Sequence, residues 1–277
     1  MKKKIMAIGL TVAVLAIAIV GMTLAYFTDE EPATNTFTFG NVNINLIEQQ
    51  RNDDGSDFEP FEQNKPLIPI VGSAQGDKDD FGLPTAANYV DKVVTIKNTG
   101  DNAAYIRAYF AIPSVLDDGA DDFNAGHNIL HFNFGNKVTE DGQVVTTYQN
   151  EWKWKNTDGS WKYFETIIDG ISYNVYYADY HEAVPSGVTT ERFVDGVYLD
   201  STVDFDDQGN MWHQGEIVDL EGLDLTNVKC PVFTIACQAA GFDSAEEAFN
   251  AAFESAEAAF NEAFSTPTPA PTDEPVE

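Results

Sequence analysis

Tyr89-Val90-Asp91-Lys92-Val93-Val94-Thr95-Ile96-Lys97, followed by Asn98-Thr99-Gly100-Asp101 and then Ala103 to Ile112, decides the fold class. Val94 and Ile96 alternate with Thr95 and Lys97, the period of a strand with one buried face. Asn98 to Asp101 are turn formers, and Pro113 closes the second run, so the stretch predicts a strand, a turn and a return strand. The same grammar extends outward in both directions. Phe37, Phe39, Val42, Ile44 and Leu46 alternate with polar neighbours, as one strand broken by a bulge at Gly40. Asn128 to Phe134, Ile171 to Asp179, Arg192 to Val203 and Val228 to Cys237 read as further strands. Glu151 to Lys155 and Trp161 to Ile168 flank Asn156-Thr157-Asp158-Gly159, a hairpin signal. About nine strands without helical crossovers predict an all-β antiparallel sandwich over residues 26–242. No repeat of 20–50 residues suggests a solenoid or propeller.

Residues 51–86 hold Pro60, Pro66, Pro69 and Pro84. A loop this long inside a compact domain is unusual, so it is either an insertion with its own structure or a mobile flap. Residues 243–264 predict one amphipathic helix. Asp243 and Glu246 are spaced as a capping box, and Phe242, Phe249, Phe253, Phe260 and Phe264 share one face. That face either packs on the sandwich or docks a neighbouring subunit. Residues 265–277 are Pro/Thr-rich and acidic, the composition of a disordered tail or spacer.

The chain carries 45 acidic and 15 basic residues, a formal charge of −30. Such a surface repels phosphate backbones and anionic lipid, which excludes nucleic-acid binding. Hydrophobic residues at 43% and aromatics at 12% supply a core, which excludes a wholly disordered chain. Two Cys are too few for a disulfide-stapled scaffold. Lys2, Lys3 and Lys4 precede an uncharged run from Ile5 to Ala25, the pattern of a secretory signal peptide over residues 1–25 with cleavage between Ala25 and Tyr26. Left uncleaved, the run could serve as a membrane anchor, the chain's one expected membrane contact. Cleavage would remove the three lysines and take the formal charge from −30 to −33.

Tyr26-Phe27-Thr28-Asp29, then Asn35-Thr36-Phe37-Thr38-Phe39-Gly40-Asn41-Val42-Asn43-Ile44, resemble the mature start of the TasA/camelysin family. Val93 to Gly100 with Ala104-Tyr105-Ile106-Arg107, and Gln238 to Phe242, are similar to later blocks of the same proteins. These are exported proteins of Gram-positive bacteria, processed by a SipW-type signal peptidase. The resemblance implies a jelly-roll sandwich. It also implies a secreted cell-surface or biofilm-matrix protein, not an enzyme, that polymerises with itself into extracellular fibres. The expected mechanism is donation of the freed segment Tyr26 to Asn35, led by Tyr26, Phe27, Thr28 and Asp29, as a strand to the next subunit. Pro32 would end that pairing near Glu31.

Other chemistry is weighed residue by residue. Some family members have been described as metallopeptidases, and His181-Glu182 could open an H-E-x-x-H helix. The second ligand position is Pro185, which also breaks the helix. His127 and His131 fall on a strand, where a spacing of four separates residues by about 13 Å, and read as ordinary surface histidines. Asp204-Phe205-Asp206-Asp207-Gln208-Gly209 places Asp204, Asp206 and Gln208 at the first three ligand positions of a calcium loop. It lacks the Glu at position 12, where Gly215 stands, so it is either a solvated turn or a weak calcium site. Trp152 with Trp154, and Trp161 with Tyr163, share a face in pairs. That face is either core or a glycan-stacking platform, which would suit an adhesin. Cys230 and Cys237 in one straight strand face opposite ways and cannot bridge without a bend.

Overall fold

The computed structural model describes residues 35–264 apart from 40, 63–64, 120–127, 135, 139–143, 147–150, 207–208 and 226–227. The expected signal peptide, Ala25, the donor residues Tyr26 to Asp29 and the tail 265–277 lie outside the described residues, as do His127 and Gln208. In chain order the strands are β1 (Asn35–Phe39), β2 (Ile44–Arg51), β3 (Phe58–Pro60), β4 (Val90–Asn98), β5 (Ala104–Pro113), β6 (Leu130–Asn133), β7 (Asn136–Val138), β8 (Val144–Thr146), β9 (Trp152–Lys153), β10 (Tyr163–Ile168), β11 (Ile171–Tyr180), β12 (Val194–Leu199), β13 (Asp204–Phe205), β14 (Met211–His213), β15 (Glu216–Ile217) and β16 (Val232–Gln238). Sheet A runs β1-β16-β5-β11-β10 with β9 also on β11, and sheet B runs β3-β2-β4-β12-β6. Two small sheets, β13-β14-β15 and β7-β8, stand apart. The chain crosses between sheets from β4 to β5, from β5 to β6 and from β11 to β12, as a jelly-roll-like sandwich requires.

Two layers of packing follow from the side-chain pattern. Between the sheets, Ile44, Leu46, Val94 and Ile96 meet Ile106, Ala108, Phe110 and Tyr176. On the far side of sheet A, Tyr105, Tyr109, Val175, Phe233 and Ile235 meet two helices, α1 (Ala245–Ala252) and α2 (Ala256–Phe264), through Phe249, Phe253 and Phe260. Strand β5 is therefore covered on both faces, and all ten of its residues are buried.

Three expectations change. First, β4 and β5 do not pair: β4 lies between β2 and β12, while β5 lies between β16 and β11. The turn after Asn98 is an arch between sheets. Thr99 and Gly100 both donate their N–H to the Asn43 carbonyl, at 2.8 and 3.0 Å. A Cβ on Gly100 would sit 2.6 Å from the Asn43 nitrogen, so only glycine fits. Second, β1 and β2 belong to different sheets and are not one bulged strand. Third, the helix over 243–264 is two short helices, broken between Ala252 and Ala256. Ser244, not Asp243, is the first cap: its hydroxyl accepts the Glu247 N–H at 3.2 Å, and Glu247 accepts the Asp243 N–H at 2.8 Å. Ser255 caps α2 by accepting the Ala258 N–H at 3.0 Å. The break lets Phe253, itself buried, cross onto the sheet between the two helices.

Residues 51–86 are an insertion with its own structure. Strand β3 pairs back on β2 around residues 52–57. Arg51 then clamps the remainder. Its guanidinium donates to Asp91 at 2.6 and 2.7 Å, to Asp79 at 2.8 Å and to the Pro84 carbonyl at 3.1 Å. Within the insertion Ile70, Ala74 and Leu83 are buried.

Candidate functional site

The segment expected to act directly precedes β1, which forms one rim of sheet A. Strand β1 is an edge strand that pairs in parallel with β16, Asn35 opposite Phe233 and Phe39 opposite Cys237. Asn35 is thus part of its own molecule's sheet. The expected donor segment Tyr26 to Asn35 must end by Thr34, because Asn35 is already paired at home.

The opposite rim of sheet A is discontinuous. Strands β9 and β10 lie end to end along β11: Lys153 faces Asp179, and Tyr163 faces Tyr176. Residues 154–161 loop out between them. Asn156 donates its N–H to the Ser160 carbonyl at 2.8 Å, and Gly159 takes φ +88° to close the turn. A loop-out of this kind interrupts an otherwise long edge.

Its aromatic rings turn inward. Trp152 is 0% and Trp154 2% exposed. The Trp152 Nε1 donates to the Glu191 carbonyl at 3.1 Å, and Trp154 stacks on Phe193 with ring centroids 4.5 Å apart. Trp161 is half-buried, edge-on to Phe134 at 5.5 Å, and Tyr163 is stacked 5.6 Å from Tyr176. The glycan platform is overturned for Trp152 and Trp154, which have no face left to offer a sugar. The group closes the open side of the sandwich. On β10 itself Ile167 is 73% exposed.

The calcium loop is the turn between β13 and β14. Asp206 accepts the Asn210 N–H at 2.9 Å, the Asn210 Nδ2 at 2.8 Å and the Trp212 Nε1 at 3.1 Å. Asp204 is exposed and caps the Phe205 N–H at 2.8 Å. The Asp206 carboxylate is engaged in shaping the hairpin. Among the described residues no three His, Cys, Asp or Glu side chains are grouped to hold a metal ion. His181 follows β11 in a bend, not a helix, with its Nε2 3.0 Å from Glu151 and 3.8 Å from Glu182. Cys230 and Cys237 are both free thiols, in the inter-sheet and the helix-side core respectively. Burial pushes both up to about 12, so neither is a ready nucleophile.

Sequence reasoning missed three charged groupings, each assembled from distant positions. Arg107 on β5 donates to Asp179 on β11 at 2.6 and 3.2 Å, beneath the Phe249 ring, and Lys162 adds a third bond at 3.1 Å. Burial would raise the Asp179 carboxyl, but Arg107 and Lys162 outweigh it and hold it below the usual carboxylate range. Asp117 is 4% exposed with no ion pair among the described residues, accepting from the Tyr176 hydroxyl at 2.6 Å and Asn174 at 2.8 Å. Burial pushes its carboxyl up, against those hydrogen bonds. His131 is not an ordinary surface residue. It is half-buried and stacked 4.9 Å from Tyr198. Its Nε2 lies 3.4 Å from Asp200, which also faces His213 at 3.9 Å. Burial pushes the His131 imidazole down, partly opposed by Asp200.

Residues 1–58 match the family model described as camelysin metallo-endopeptidase. The match spans the expected signal, the segment ahead of β1, the strands β1 and β2, and the turn into β3. It covers 58 of 277 residues, so the likeness to camelysin is one of the N-terminal part. No curated protein and no solved structure matches the chain.

Proposed function

We propose that the chain is an exported structural protein. Copies join head to tail when the segment from Tyr26 to Thr34, freed by cleavage after Ala25, adds as a strand to a neighbour. One observation supports this: in the part similar to camelysin the first described strand, β1, is a sheet edge, and the expected donor segment precedes it directly in sequence. An extended segment can gain main-chain hydrogen bonds by adding as a strand to an exposed sheet edge. A contact between two different surfaces repeats without closing, which gives a filament. Cleavage would be by a SipW-type signal peptidase, and the filament would form outside the cell.

The test compares protein beginning at Tyr26 with protein beginning at Asn35, by sedimentation and electron microscopy. Filaments from the first alone are expected. Filaments from both would remove strand donation. The matched family's description favours a second reading, a metallo-endopeptidase. Chelator-sensitive digestion of casein by the purified chain would establish it; no digestion would end it.

A further inference from the structure

We propose that His131, Asp200 and His213 form an acid-sensitive joint, which holds the small sheet β13-β14-β15 against the β6 rim of sheet B at neutral pH and loosens when the imidazoles take up protons. This goes beyond the fibre reading and does not depend on it. Placement, unmet hydrogen bonding and charge balance carry it together.

The small sheet pairs with no strand of sheet A or B among the described residues, so side chains, not a shared ladder, seat it. Met211 of β14 is one anchor, 1% exposed in the inter-sheet core. The three polar residues come from three different places in the fold. His131 lies on β6, the end strand of sheet B; Asp200 directly follows β12; His213 lies on β14. Asp200 also shapes the chain on its way into β13. Its N–H donates to the Ile129 carbonyl at 2.8 Å, and its Oδ1 accepts the Thr202 N–H at 2.8 Å and the Thr202 hydroxyl at 2.6 Å.

The Nε2 atoms of His131 and His213 are both buried without a hydrogen-bond partner among the described residues, and the His213 side chain is only 10% exposed. Both nitrogens face the Asp200 carboxylate, His131 at 3.4 Å from Oδ2 and His213 at 3.9 Å from Oδ1, beyond the ordinary N–H···O length. Tyr198 stacks on the His131 ring, and Glu216 stands opposite His213 on β15. Burial opposes a charge on His131 more than Asp200, the Asn128 main chain and Asp117 favour one, so this ring takes a proton less readily in the closed joint than in the open one. One carboxylate between two imidazoles also balances one added charge and not both. The sign follows from the lowered value. Closure is fully favoured above the ordinary imidazole range, about pH 6.5, and is lost as pH falls from there through the folded value.

The test is amide hydrogen exchange of protein beginning at Tyr26, at about pH 7.5 and about pH 5.5, with each rate corrected for the intrinsic exchange rate at that pH. Protection over Met211 to Ile217 is expected to fall roughly tenfold between the two, while that of β5 and β16 holds. His131→Gln with His213→Gln removes the groups that take up the protons and should cancel the fall. Asp200→Asn removes the charge that offsets them and should deepen it, whereas an aspartate with a structural role alone would lower protection equally at both pH values. Unchanged protection in the parent overturns the joint, and so does a fall that persists in full in the double glutamine variant. Should that variant not fold, Asp200→Asn decides: a fall no deeper than the parent's overturns the joint.

Discussion

Two buried aspartates set opposite pH responses. Asp179 is held below its ordinary range by Arg107 and Lys162, so it stabilises the fold above the unfolded carboxylate range. That contribution is lost as pH falls through its folded value. Asp117 is pushed up by burial, so the folded state binds its proton more tightly than the unfolded chain does. Its sign is reversed: stability is present at acid pH and lost as pH rises through the folded value. Asp117→Asn is therefore expected to raise the unfolding free energy at pH 7 and to flatten its decline above about pH 4; urea melts across pH 3 to 8 read both effects. Arg107→Met should act in the other direction, costing about 3 kcal/mol at pH 7 because Asp179 keeps only Lys162. None of these groupings was legible beforehand. Arg107 and Asp179 are 72 positions apart, and only strand register makes them neighbours.

At the scale of elements, the strand pattern was legible but the pairing was not. Alternation over Val93 to Lys97 says that one face is buried; it is silent on whether the next strand lies beside it or across the sandwich. The clue was in β5, where Ala104 to Pro113 is nearly all apolar. A strand apolar on both faces must be central and covered twice, here by sheet B and by the helices. The turn at Asn156–Gly159 falls where the sequence puts it, but the strands beside it do not pair as a hairpin: β9 and β10 line up along β11, joined across the turn by the single bridge Lys155–Trp161. The direction of the rings was open between core and platform. Trp154→Ala should cost about 3–5 kcal/mol, as truncation of a large core aromatic does. Chemical denaturation checks it; a loss under about 1 kcal/mol would mean that the ring is not closing the core. The helix start was one residue off, because Asp243 and Ser244 both suit a cap. Ser244→Ala should lower stability by about 1 kcal/mol, while Asp243→Ala should not, since Asp243 contributes its main-chain N–H to Glu247.

The whole molecule presents a conflict between charge and association. Each mature copy would carry −33, yet the proposed contact needs two of them side by side. The attraction at any strand contact acts over a few ångströms; the repulsion involves every carboxylate on both bodies. Salt weakens both, but the long-range term first, because the Debye length falls from about 30 Å at 0.01 M to about 8 Å at 0.15 M. Association should therefore strengthen as monovalent salt rises from about 0.01 to about 0.15 M, contrary to the behaviour of a contact governed by its own ion pairs. Calcium should do the same work at lower ionic strength if carboxylates such as Asp204 gather it, and magnesium at equal concentration separates site binding from screening. Sedimentation velocity across sodium, magnesium and calcium series reads all three. A monotonic loss of association with sodium would place the local ion pairs, and not the body charge, in control of assembly.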